Sequence, residues 1–130
     1  MSASTRFQRI RQDRGASMVE FALILPILIM LLVGTVEFGR AFNYQVTLTH
    51  AAREGVRTLA VTKDGDAATE AAELAATTLP IEVESPTTCT SGQATTLRTT
   101  YDFHYIVPLL PSFLPNPIEL EGVGVMRCGG

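Results

Sequence analysis

Three sets of residues in this chain have types and spacings that can do chemistry. Glu20 sets one carboxylate in an otherwise apolar stretch, with Ala16–Val19 before it and Phe21–Val36 after it. A carboxylate costs about 2.5–3.5 kcal/mol at a bilayer centre and less near its edge, so it calls for a cation or a solvated seat. Cys89 and Cys128 are the two cysteines. They are too few for a four-ligand metal site, and neither His50 nor His104 stands at ligand spacing from them, so no metal or other cofactor is expected. A single disulfide is the simplest reading if that part of the chain lies outside the cytosol. Asp102, His104 and Ser112 have the residue types of a hydrolase triad. No nucleophile elbow or oxyanion-hole signal accompanies them. His104 therefore reads as a strand residue, His50 as a structural one, and no catalytic function is expected.

The elements that carry these residues follow from composition and pattern. A chain of 130 residues makes one small domain at most. It is 46% hydrophobic, and the excess is concentrated between Ala16 and Val36. Arg6, Arg9, Arg11 and Arg14 against Asp13 make residues 1–15 basic, so the remainder of a chain of net charge −3 is acidic. That balance gives no uniform basic surface for nucleic acid. The uncharged run from Phe21 to Val36, extended back through Ala16, approaches the ~20 residues that cross a bilayer. The arginines before it put the N-terminus in the cytoplasm and the rest outside, in a single pass. A cleaved secretory signal competes, but Gly34-Thr-Val-Glu-Phe-Gly-Arg makes a poor cleavage site and the apolar run is long for it. A plain signal anchor, in which Glu20 has no special role, stays open. Pro26 is tolerable in a membrane helix, with a kink near Phe21–Ala22.

The helical pattern continues past the run to about Thr62, through Phe38, Phe42, Val46, Thr49, Ala52, Val56, Leu59 and Ala60. A helix from Ala16 to Thr62 is roughly 70 Å long, more than a bilayer. Glu37 and Arg40 read as solvated charges at the outer interface, and Phe38 and Phe42 as packing on the sheet or sitting in that interface. Lys63-Asp-Gly-Asp66 is a turn, and Asp66 is the expected N-cap of a second helix from Ala67 to about Thr78. Strands are expected at Ile81–Glu84, Thr95–Val107 and Ile118–Met126. A polar loop, 85–94, holds Cys89. The Pro-broken loop 108–117 brings Leu109, Leu110, Phe113 and Leu114 together, either to cap the core or as an exposed patch. The fold class is thus α+β: a long N-terminal helix, a short helix and a three-stranded antiparallel sheet. The expected divisions are a leader at 1–15, a transmembrane and projecting helix at 16–62 and an extracytoplasmic head at 63–130.

The stretches Arg14-Gly-Ala-Ser-Met-Val-Glu-Phe-Ala-Leu-Ile-Leu-Pro-Ile-Leu, Val36-Glu-Phe-Gly-Arg-Ala-Phe and Ala51-Ala-Arg-Glu-Gly-Val-Arg closely resemble the TadE-like family. The ending Val125-Met-Arg-Cys and the Pro-Leu-Leu-Pro loop resemble it more loosely. These are minor pilins or pseudopilins of tight-adherence, Flp-type pilus systems. The resemblance implies a structural subunit of the bacterial inner membrane, cut between Gly15 and Ala16 by a prepilin peptidase. Gly15 lets the backbone extend into a protease cleft without a side-chain clash. The implied partners are that peptidase, other pilin subunits and minor pilins, the assembly platform and membrane lipid. Cleavage would make Glu20 the fifth residue of the mature chain. Its carboxylate then stands one helical turn from the new Ala16 amine, or reaches the amine of a neighbouring subunit. A permanently anchored binding or adhesion module is the alternative.

Overall fold

The computed structural model describes residues 4–86, 88–106 and 115–129, with residues 4–14 as helical backbone only. The first element, α1, spans Ser4–Thr62 and contains Pro26 without ending there. It starts earlier than Ala16 because the leader from Ser4 to Arg14 has no Pro or Gly and its four Arg and two Gln are good helix formers. The chain forms two compact units, Met1–Val36 and Glu37–Gly130. The first holds the apolar run, whose large side chains from Met18 to Leu32 are exposed. α1 is long and apolar enough to cross a membrane.

The second unit is the head, and it includes α1 from Glu37 onward. Lys63 takes φ +60° and breaks the helix. The next helix, α2, spans Gly65–Ala76 and is capped by Asp64, not Asp66. Asp64 is extended (φ −115°, ψ 116°), and its Oδ1 accepts the Asp66 amide at 3.0 Å and, more weakly, the Ala67 amide at 3.5 Å. Asp66 lies in the first turn, where its charge suits the helix dipole. Three antiparallel strands follow in the order β1 (Glu82–Glu84), β2 (Ala94–Phe103) and β3 (Ile118–Arg127). β2 stops at Phe103, short of Val107, because β3 begins opposite it at Ile118 and the ladder has no pair beyond that. The loop residues Leu109, Leu110, Phe113 and Leu114 lie outside the described residues.

The helices lie against one face of the sheet. Leu48, Ala51, Ala52, Val56 and Leu59 of α1 are buried with Ala68, Ala72 and Ala76 of α2 and Leu97 and Thr99 of β2. Their small size sets the spacing. A Cβ added at Gly122 would collide with the Leu48 carbonyl group and stand 2.7 Å from the Thr49 nitrogen, and one at Gly124 would stand 2.9 Å from Val56 Cγ1 and overlap the Ala52 carbonyl. Helix and strand backbones touch there because both strand residues lack a side chain. Gly55 does the same toward α2, where a Cβ would meet the Ala68 carbonyl oxygen and Ala72 Cβ, both at 3.0 Å. Two cross-links fix the fit: the Thr99 hydroxyl donates to the Leu48 carbonyl at 3.0 Å, and Gln45 Nε2 to the Glu121 carbonyl at 2.6 Å. The buried stripe of α1 is therefore not the one that runs through Phe38, Phe42 and Val46. These three point away from the sheet, exposed at 74%, 62% and 53%.

Two glycine-to-alanine substitutions are predicted to act in opposite directions. Gly124→Ala forces the helix off the sheet and should lower stability by about 1–3 kcal/mol, the usual cost of overpacking. Gly39→Ala meets nothing within 4 Å, and should raise stability by up to ~1 kcal/mol through helix propensity. Urea denaturation of the detergent-solubilised chain, followed by circular dichroism, measures both.

Candidate functional site

The residues singled out by the sequence fall into separate places. In the first unit, Gly15, Ala16 and Glu20 all lie within α1 and are all exposed. A Cβ at Gly15 would meet nothing within 4 Å, so glycine is not required there by packing. Among the described residues Glu20 has no hydrogen-bond or salt-bridge partner. It stands between Val19 and Phe21, exposed at 62% and 63%, so its surroundings are unfilled apolar surface. A cation there must come from outside this chain's described contacts.

In the head, Glu37 proves to be a buried anchor and not a solvated charge. It is 8% exposed. Its Oε2 accepts from Arg40 Nη1 at 2.8 Å, one helical turn on, and its Oε1 accepts the Ile106 amide at 3.1 Å, 69 residues on. Both oxygens are satisfied, which a buried carboxylate requires. Arg40 lies over two rings, 5.8 Å from the Tyr44 centroid and 5.3 Å from that of Phe103. Tyr44 in turn meets Tyr101 and Phe103 edge-on at 5.4 and 5.7 Å. One acid thus ties the first turn of the head's helix to the chain leaving β2, and an arginine held on aromatic faces completes it. The Glu–Arg spacing of three residues was visible in the sequence. The second partner was not, since a backbone amide leaves no compositional mark.

Cys89 and Cys128 are joined in a disulfide, with Cα atoms 5.8 Å apart and both residues buried. It lies at the opposite end of the head, where the Gly129 amide donates to the Ala60 carbonyl and the Lys63 ammonium to Ser91 Oγ at 2.8 Å. Asp102 and His104 do not form the acid–base half of a triad. The His104 Nδ1 contact at 3.0 Å is to the backbone carbonyl of Asp102, not its carboxylate, and both side chains are exposed. They line an open cleft of about 390 Å³ with Pro80, Glu82, Thr100, Tyr101 and Glu119. Ser112 lies outside the described residues, and His50 is exposed on α1. Among the described residues no group of His, Cys, Asp or Glu is arranged to hold a metal ion.

Residues 15–57 match the family model described as TadE-like protein. The match begins at Gly15, takes in Glu20, Glu37 and Arg40, and ends within the buried part of α1. The looser likeness at Val125–Cys128 lies beyond it. No curated protein and no solved structure matches the chain.

Replacing Glu37 by Ala should cost about 1–3 kcal/mol, as for hydrogen bonds to charged groups, and Arg40→Ala should destabilise in the same direction. The double variant should cost less than the sum of the two, because the side chains act on each other. A double-mutant cycle in urea measures the coupling. The disulfide closes a loop of sequence separation 39, and in the chain-entropy model Cys89→Ala with Cys128→Ala should cost about 4 kcal/mol. The same denaturation assay reads that loss.

Proposed function

With the TadE-like match over residues 15–57 as premise, we propose that this chain is a structural minor pilin or pseudopilin. It takes part in assembling, initiating or anchoring a type IV pilus of the Tad/Flp kind. It is held in the bacterial inner membrane by α1, with the leader in the cytoplasm and the head outside. Its partners are a prepilin peptidase, other pilin subunits and the assembly platform. The observation that carries this reading is the pair Gly15 and Glu20, at their spacing in the matched stretch, both exposed at the start of an uncharged run.

The chemistry is a processing step followed by an assembly step. A peptidase hydrolyses the Gly15–Ala16 bond. That bond is helical in α1, so the helix must open locally before it enters a protease cleft. Glycine makes the opening easier by about 1 kcal/mol relative to alanine. Cleavage leaves an α-amino cation on Ala16, four residues before Glu20. In an apolar setting the carboxylate and this amine attract each other far more strongly than in water, and either is penalised alone. An unpartnered Glu20 on exposed apolar surface therefore favours lateral packing that brings an amine within reach. That requirement sets the register of one subunit against the next.

N-terminal sequencing of the protein produced beside its peptidase should begin at Ala16. An intact Met1 would instead indicate a permanently anchored binding module, and a start after Gly34 a secreted product. Glu20→Lys should insert normally, remain cleavable and fail to enter pili. Normal piliation in that variant would refute the role given to Glu20.

A further inference from the structure

The two ends of the head differ in chemistry. The end where Glu37 follows the apolar run holds all three tyrosines, Tyr44, Tyr101 and Tyr105, together with Phe38, Phe42 and Phe103. The other end, around Ala60, Ser91 and Cys128, has Lys63, Asp64 and Asp66 nearby and, among the described residues, no aromatic residue. On the α1 side of the aromatic end the apolar side chains turn out and the carboxylate of Glu37 turns in, while Asp102 and Glu119 stay exposed on the strands beside it. Phe38 and Ile106 are exposed at 74% and 73%, whereas Glu37 is buried and bonded on both oxygens, one of them by Arg40. Beyond Arg40 the first formal charge on α1 is Arg53, and between Asp102 and Glu119 the sequence has no Asp, Glu, Lys or Arg.

A hydrocarbon layer ~30 Å thick takes about 20 helical residues, which reach about Thr35 counted from Ala16 and about Arg40 counted from Phe21. Phe38 then falls at the outer edge of the layer and Phe42 just beyond it. Aromatic residues concentrate at this level in membrane proteins. An ion pair closed on itself is also the form in which charges are tolerated there.

We infer that the aromatic end of the head, with Phe38, Phe42 and Ile106 outermost, is seated in the interfacial layer of the extracytoplasmic leaflet. Lipid covers these side chains. The Glu37–Arg40 pair closes the charges that α1 brings to that end on each other. This inference rests on α1 spanning the membrane. Lipid is the occupant because exposed Phe38 and Phe42 follow the apolar run within one helix, and because the aromatic residues of the head gather around Glu37, the residue after that run.

The chain contains no tryptophan, so single-Trp variants report without background. Leu28→Trp, Phe38→Trp, Ile106→Trp and Val61→Trp are each made in the full chain. Each is reconstituted in phosphatidylcholine–phosphatidylglycerol vesicles, with and without lipid brominated high on the acyl chains. Phe38→Trp and Ile106→Trp should emit to the blue of free indole and lose emission to the brominated lipid. Val61→Trp, exposed at the far end of the head's helix, should do neither. Leu28→Trp tests the anchor independently. Quenching of Leu28→Trp without quenching at Phe38→Trp and Ile106→Trp would overturn the seating and leave the anchor standing. No quenching at any position, Leu28→Trp included, would overturn both. Blue-shifted but unquenched emission from Phe38→Trp and Ile106→Trp would mean that protein, a second copy or another subunit, covers this end, and would overturn the assignment to lipid.

Discussion

The head is organised around the contact of two backbones, α1 at Leu48 and Ala52 against β3 at Gly122 and Gly124. At that approach no side chain fits between helix and strand, so everything nearby must be small or must hydrogen-bond. Ala51 and Ala52 supply the small surface, Gly55 repeats the device toward α2, and α2 answers with Ala68, Ala72 and Ala76. The Thr99 hydroxyl is buried at the seam and satisfied by the Leu48 carbonyl. A core of this kind buries little apolar area per residue, and its stability comes from close contact over many atoms. That explains why a small head also has a disulfide at one end and a bonded ion pair at the other.

The same approach decides which side of α1 is left over. Once the Leu48–Ala52–Val56 stripe is committed to the sheet, Phe38, Phe42 and Val46 must face outward. The cost of leaving such residues in water is offset only if lipid or protein covers them. Glu37 belongs to the buried side, so its carboxylate had to find partners there. Arg40 one turn on and the Ile106 amide across the head provide them. Packing in the head thus takes the Glu37 carboxylate, the first charge after the apolar run, out of solvent. Glu20, just before the run, has no such arrangement among the described residues.

Legibility varied with the range of the interaction. The apolar run, the turn at Lys63–Asp66, the second helix and the three strands were all readable, because each depends on neighbours within a few residues. The cap fell two residues early, on Asp64, because the backbone geometry at Lys63 decides which aspartate is extended. Glu37 was misread as solvated because its decisive partner is a distant main-chain amide. The alternation of β3 identifies the strand but does not mark Gly122 and Gly124 as the place where the helix docks.

By itself the sequence determined the order and type of the elements, the position of the apolar run and the Gly15–Glu20 spacing, since periodicity, propensity and charge act locally along the chain. Only the tertiary structure decided which face of α1 is buried, that Glu37 is an anchor, and that the aromatic residues gather at one end of the head. Those outcomes depend on which backbone can approach which, and the residues that settle it, Leu48 and Gly122 or Glu37 and Ile106, are far apart in sequence and meet only when the sheet closes on the helix.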